Sequence, residues 1–335
     1  MESKHSITHV ILTGGVGSRL WPLSRKSQPK QYLELFEGKS LFEMTVERNR
    51  NVADTIMVVG NRDNCHLSKK VLEKSNTSYI DIVESTPRNT AAAIAFAAFA
   101  SDPEAILIVT PSDHIIDKME EYEAAINDAI EKASKGYIVT FGIIPTKPET
   151  GYGYIERKGD DVLSFREKPN QVTARDFISR GNFLWNSGMF CFKAGVLLDE
   201  LKIYTPEIYE KSKIAWEANQ NGNLDLDLSL DIPSISIDYA VMERSKKIKV
   251  VSSTFVWSDL GSFESVYDYL ITIGHPVDEN GNMVIGTTNY TAFIGVKDTI
   301  FVYTDTANLI LKKEFSQDVK SVYSKLERDK SDLLN

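Results

Sequence analysis

Residues 12–31 read LTGGVGSRLWPLSRKSQPKQ. Three glycines, Gly14, Gly15 and Gly17, and the hydroxyl of Ser18 stand beside four cations, Arg19, Arg25, Lys26 and Lys30. No acidic residue falls between Glu2 and Glu34, although the whole chain carries net charge -9. Glycines let backbone N–H groups close on an anion, and a cation just beyond them neutralises its charge. The chemistry suited to such a loop is the handling of phosphate. A dinucleotide loop needs G-x-G-x-x-G and an acid about 20 residues on. Gly15 and Gly17 satisfy the first two places, but Leu20 occupies the third. A P-loop needs Gly-Lys-Ser/Thr, and none lies in this loop. The remaining designs are a nucleotidyltransferase loop and a plain glycine turn with solvated basic residues. In the former, Arg19 sits where the triphosphate's cation belongs and Lys30 reaches in from the far end.

The stretch resembles the signature G-G-x-G-[S/T]-R-L…P-K of the sugar-1-phosphate nucleotidyltransferases. Trp21-Pro22-Leu23-Ser24-Arg25 and Pro29-Lys30-Gln31 resemble its mannose-1-phosphate guanylyltransferase branch, in the short form that lacks a phosphomannose isomerase domain. Further motifs follow in family order up to about Leu270. Pro111-Ser112-Asp113-His114 follows an apolar strand, where an aspartate can hold Mg²⁺ or simply form an Asx turn. Trp257-Ser258-Asp259-Leu260-Gly261 supplies a second carboxylate, and the resemblance assigns Asp113 and Asp259 to the metal. In ESTPRNT, residues 84–90, Glu84 can accept from guanine N1–H and N2–H₂, and Arg88 and Asn89 can face base or phosphate. Asn89 can equally cap the helix that follows. The family pattern here is E-P-x-x-R-N-T-A-P, and this chain has Ser85 and Ala92 in place of the prolines.

The resemblance places the sugar phosphate on Gly151, Tyr152, Gly153, Glu167, Lys168, Asn186 and Asp238. It places the nucleotide on Gly14, Gly15, Gly17, Ser18, Glu84, Arg88, Asn89 and Ser112. Arg19, Lys30 and Lys168 carry the chemistry in this reading. The implied reaction joins GTP and mannose 1-phosphate into GDP-mannose and pyrophosphate with Mg²⁺, in a homodimer. The same chemistry on another sugar 1-phosphate or nucleotide is the alternative, and a non-catalytic GDP-sugar-binding regulator is a more distant one.

Positioning these residues needs a sheet with loops at its strand ends. Apolar runs at residues 7–12, 55–60, 79–83, 105–109 and 137–142 alternate with helical patterns at 41–52, 89–100 and 120–133. That alternation predicts βαβ units and a Rossmann-like, mostly parallel (mixed) sheet flanked by helices. The middle predicts short strands at 151–155, 162–165 and 190–192 and helices at 194–204 and 206–220. Residues 221–231 read as a solvated loop. From 281 to 311 short β runs predict a small appendage of parallel coils, like a short left-handed β-helix, closed by a helix over 318–329. The expected division is a catalytic domain, 1–274, and a C-terminal domain, 275–335.

The bulk numbers exclude other classes. The chain has 335 residues, 42% hydrophobic and 25% charged, with pI ≈ 5.2. An acidic chain is not built to coat nucleic acid. No run approaches the ~20 apolar residues of a membrane helix, and no signal peptide is evident. Cys65 and Cys191 form no metal or disulfide spacing, as in a reduced, cytoplasmic protein.

Overall fold

The computed structural model describes residues 5–35 and 38–335. Four of the apolar runs, β1 (Ile7–Thr13), β2 (Thr55–Asn61), β3 (Ile80–Glu84) and β4 (Ile106–Pro111), lie side by side and parallel in the order β3-β2-β1-β4. Their middles are buried, so they read as unbroken apolar runs rather than alternating ones. Beyond β4 the sheet is mixed. β5 (Ile138–Ile143), β6 (Tyr154–Lys158), β7 (Asp161–Arg166), β8 (Phe183–Lys193) and β9 (Ile248–Ser253) complete nine strands in the order β3-β2-β1-β4-β8-β5-β9-β7-β6. The long β8 runs antiparallel to β4, β5 and β6, whereas β9 runs parallel to β5.

The helix Asn89–Phe99 is buried along nearly all its alanines and packs against the helices Ala194–Tyr204 and Pro206–Glu217. A helix buried all round needs small side chains to come close to its neighbours. The helix Met119–Ser134 covers β5, β8 and β9. In this sheet and its helices two details differ from expectation. The run at 190–192 is only the end of the eleven-residue β8. Residues 221–231 contain the short helix Leu226–Leu230, capped by Asp225, whose Oδ1 accepts from the Leu228 amide at 3.0 Å.

The described residues up to Gly14, with Thr45–Ser112 and Ile116–Val256, form one compact unit. A second unit comprises Gly15–Met44, Asp113–Ile115 and Trp257–Asn335. Its core gathers Leu20, Trp21, Phe263, Tyr267, Ile300 and Val302. The strands β10 (Met283–Ile285) and β11 (Thr299–Tyr303) pair in parallel, but β12 (Asn308–Lys312) returns antiparallel to β11. The expected sequence of parallel coils therefore ends in a hairpin. Its turn is closed by Thr304, whose amide donates to the Ala307 carbonyl and whose Oγ1 accepts from the Ala307 amide, both at 3.1 Å. The helix Val319–Arg328 packs on the single turn Ser18–Leu20. Among the described residues no helix is long and apolar enough to cross a membrane.

Candidate functional site

In the second unit the glycine loop leads into the 3₁₀ turn Ser18–Leu20. Gly17 caps that turn at φ 75°, in the left-handed region. A Cβ placed there would stand 2.6 Å from Lys30 Cβ, so both backbone conformation and space require glycine. The Ser24 hydroxyl donates to the Gly17 carbonyl at 2.6 Å, and the Lys30 amide donates to Val16 at 3.2 Å. Arg19 on this turn makes no hydrogen bond or ion pair with another described residue.

Lys30 is placed differently. Its side chain is 6% exposed and its ammonium lies 2.8 Å from Asp113 Oδ2. It also donates to the backbone carbonyls of Asp259 and, at 3.4 Å, Leu260. Three acceptors thus match its three N–H bonds. Leu260 presents its carbonyl from a left-handed conformation, φ 43°, which is costly for a leucine and fits a strained functional turn. The Asp113 carboxylate and the Asp259 backbone carbonyl, far apart in sequence, therefore meet at one ammonium. Burial opposes ionisation of Asp113, but Lys30 and His114 beside it hold its carboxyl below the usual range. Its Oδ1 lies 3.7 Å from His114 Nε2. The indole N–H of Trp257 donates to His114 Nδ1 at 3.2 Å, which makes Nδ1 the acceptor and leaves Nε2 facing Asp113.

Among the described residues no group of three or more His, Cys, Asp or Glu is arranged to hold a metal, so they build no all-protein cage. Mg²⁺ asks for less: one or two ionised carboxylates, with substrate phosphates and water completing its shell. Asp113, kept ionised and still 27% exposed at its side chain, fits the requirement for one such carboxylate. The Asp259 carboxylate accepts from the Gly261 amide at 3.0 Å.

Arg25 and Lys26 turn away from this cluster. The Arg25 guanidinium donates to the Thr306 hydroxyl, to Thr304 Oγ1 at 3.4 Å and to the Asn335 carbonyl at 3.4 Å. Lys26 pairs with Glu327 at 3.0 Å, and its amide donates to Leu334 at 2.8 Å. Trp21 Nε1 donates to Leu333 at 3.1 Å. Half of the loop's cations therefore fasten it to the C-terminal segment.

In the first unit, β3 ends at Glu84, whose carboxyl group is buried. Its Oε1 has no hydrogen-bond partner among the described residues. Burial pushes its pKa up to about 7, against a smaller opposing effect of the Arg88 amide. The Arg88 guanidinium is not free for a ligand at Nε, which donates to the Ile232 carbonyl at 2.6 Å. Asn89, at φ 68°, does not cap the helix it opens. Its Oδ1 accepts only from the adjacent Thr90 amide, at 2.8 Å. Ser112 is buried, with its amide donating to Leu12 at 3.1 Å.

The residues expected at the sugar phosphate do come together in this unit. The Asn186 amide donates to the Gly153 carbonyl at 2.8 Å, and its Nδ2 donates to Asp238 Oδ1 at 2.9 Å. Asn186 Oδ1 accepts from the Gly188 amide at 3.1 Å and from Thr140 Oγ1 at 3.4 Å. Tyr152 stacks edge-on against buried Trp185, centroids 5.2 Å apart. Burial, then the charge of Glu167, raise the pKa of Asp238. Glu167 pairs with Lys168, which stands at φ 42° immediately before Pro169. Gly151 donates its amide to Glu149 Oε1 at 2.9 Å. His114, Trp257, Thr140 and Ser85 escaped the sequence reading of roles; the first two lie inside motifs already quoted, whereas Thr140 carries no sequence signal.

A nucleotidyl transferase family model matches residues 8–273, and a mannose-phosphate isomerase/GMP-like β-helix model matches residues 276–326. The mannose-1-phosphate guanylyltransferase of Salmonella montevideo is 38% identical over 354 residues, spanning 96% of this chain and 74% of that protein. Among solved structures, the mannose-1-phosphate geranyltransferase of Thermus thermophilus aligns over 96% of this chain and 99% of its own, with TM-score 0.83 and 28% identity. The mannose-6-phosphate isomerase of Helicobacter pylori covers 76% of this chain and 99% of its own, with TM-score 0.69 and 40% identity. With the glycine signature and these likenesses, the chain belongs to the mannose-1-phosphate guanylyltransferase family of nucleotidyltransferases.

Proposed function

We propose that the chain transfers GMP from GTP to α-D-mannose 1-phosphate, giving GDP-mannose and pyrophosphate by direct in-line attack of the sugar phosphate. The nucleophile is already an anion, so no activating dyad is needed; positioning and charge neutralisation carry the rate. Backbone N–H groups of Gly14–Ser18 receive the triphosphate, and Arg19 meets the charge that moves onto pyrophosphate. Lys168 holds the mannose phosphate, while Glu167, Asn186 and Asp238 bind sugar hydroxyls. Glu84 accepts from the guanine edge, which would satisfy its lone Oε1. Asp113 and Asp259 would hold Mg²⁺, which when bound screens the two phosphate groups from each other. Lys30 supports that pair by keeping Asp113 ionised and in place. The homodimer and the cytoplasmic setting belong to the same reading.

The observation that carries the proposal is Lys30 joining the Asp113 carboxylate to the Asp259 backbone carbonyl, in the unit that also holds the glycine turn. The test is pyrophosphate release over a grid of four NTPs and several sugar 1-phosphates, with and without Mg²⁺. GTP with mannose 1-phosphate and Mg²⁺ is expected to dominate. Equal turnover with another pair would move the assignment to that sugar or base, and no turnover with any pair would leave a binding protein.

A further inference from the structure

Ser85 stands where the family motif has proline, directly after Glu84. A proline there would restrain the loop by fixing its own φ. Serine cannot do this, yet the Ser85 hydroxyl ties the loop at two points. Its hydroxyl donates to the Leu224 carbonyl and accepts from Arg62 Nη2 at 2.8 Å. Arg62 is itself anchored, its amide donating to the Glu84 carbonyl at 3.0 Å.

The partner of Ser85 is a strap, residues 219–232, laid along the end of β3. The Val83 amide donates to Gly222 at 2.8 Å, and the Leu224 amide donates to Val83 at 3.0 Å. Gly222 approaches so closely that a Cβ on it would lie 2.1 Å from the Asp81 carbonyl. Further along, Ile232 receives Arg88 Nε. The strap thus grips the loop on both sides of Glu84: before it at Val83, after it at Ser85 and Arg88.

We infer that Ser85 is a positioning residue for nucleotide selection: through the strap it fixes the Glu84 carboxyl, doing with two hydrogen bonds what the motif's proline does with its ring. Arg88 belongs to the same fastening. The inference rests on the reading of Glu84 as the group that accepts from guanine. In the proposed reaction the phosphates are handled by Gly14–Ser18, Arg19 and Lys168, outside this loop, so its loosening raises KM for GTP and lowers the preference for GTP over ATP. It leaves kcat and the KM for mannose 1-phosphate in place.

The experiment compares wild type, Ser85→Ala, Ser85→Pro, Gly222→Ala and Glu84→Gln in steady-state kinetics with GTP and ATP, alongside thermal midpoints. Ser85→Ala is expected to raise KM for GTP about tenfold and reduce the GTP/ATP ratio similarly, with kcat within about twofold, as expected for two lost hydrogen bonds that leave the Leu224 carbonyl without the Ser85 donor. Gly222→Ala should act in the same direction, and Ser85→Pro should recover most of the ratio. An unchanged GTP/ATP ratio in Ser85→Ala, whatever its thermal midpoint, overturns the inference, as does failure of Ser85→Pro to recover a lost ratio. Glu84→Gln separates the two layers. If it abolishes the preference while Ser85→Ala does not, only the role of Ser85 falls. If Glu84→Gln keeps the preference, the base-reading role of Glu84 falls and the inference with it.

Discussion

Glu84 makes a quantitative prediction. Its carboxyl is 7% exposed, one oxygen lacks a partner among the described residues, and its pKa is pushed from 4.5 to about 7 by burial. Between those two values the folded chain keeps a proton that the unfolded chain has released. Stability therefore falls as pH rises through this window. Taking 4.5 in the unfolded chain and about 7 in the folded one, the loss between pH 5 and pH 8 is about 2.5 kcal/mol from this group alone. Glu84→Gln removes the titration while keeping the shape. Relative to wild type it should gain about 2.5 kcal/mol on going from pH 5 to pH 8, as read from urea unfolding at both values. Its affinity for GTP should fall at the same time, because an amide presents only one acceptor to the guanine edge. Bound GTP should also draw a proton off wild-type Glu84 below pH 7, visible as buffer-dependent heat in calorimetry. A stability difference between the two chains that is the same at pH 5 and pH 8 would refute the premise that this carboxyl is buried without charge compensation.

The other predictions concern the glycine unit. Arg19→Ala should cut kcat by about 10²–10³ while leaving the thermal midpoint unchanged, since the side chain has no partner among the described residues; near-normal turnover would exclude Arg19 from the phosphates. Lys30→Met should destabilise by about 3 kcal/mol, because it strands Asp113 without its charge partner. Pairing it with Asp113→Asn should restore much of that loss, and additive effects would show the ion pair to be incidental. Asp113→Asn and Asp259→Asn should each remove Mg²⁺-dependent pyrophosphate release, and activity surviving in either variant would take that residue off the metal.

What the sequence made legible was local. The glycine turn, the apolar strands and the alanine-rich helix each announce themselves by composition or period, and the structure has all of them. The motifs at Asn186 and Asp238 were legible in the sequence, and the structure joins the two by a hydrogen bond. What escaped was long-range pairing. β8 hides behind Asn186, Ser187 and Gly188, polar or small residues that interrupt an apolar run but sit centrally in the sheet. The alternating Asp and Leu of residues 224–231 resemble a solvated loop, because the strap is held to β3 by backbone groups that leave no side-chain signature. Arg25 and Lys26 could be phosphate contacts or solvated charges from their positions beside Arg19; only their partners near the C-terminus reveal another use.

Those partners have a consequence for the order in which the molecule can be made. Trp21 and Arg25 are tied to carbonyls 312 and 310 residues further along the chain. At a synthesis rate of up to ~20 residues per second, these tethers become available no sooner than roughly 15 s after the loop leaves the ribosome. The strands β1 to β4 can pair in that interval, but the glycine loop cannot acquire its last fastenings. A nascent chain can thus hold a formed sheet while its signature loop is still unset.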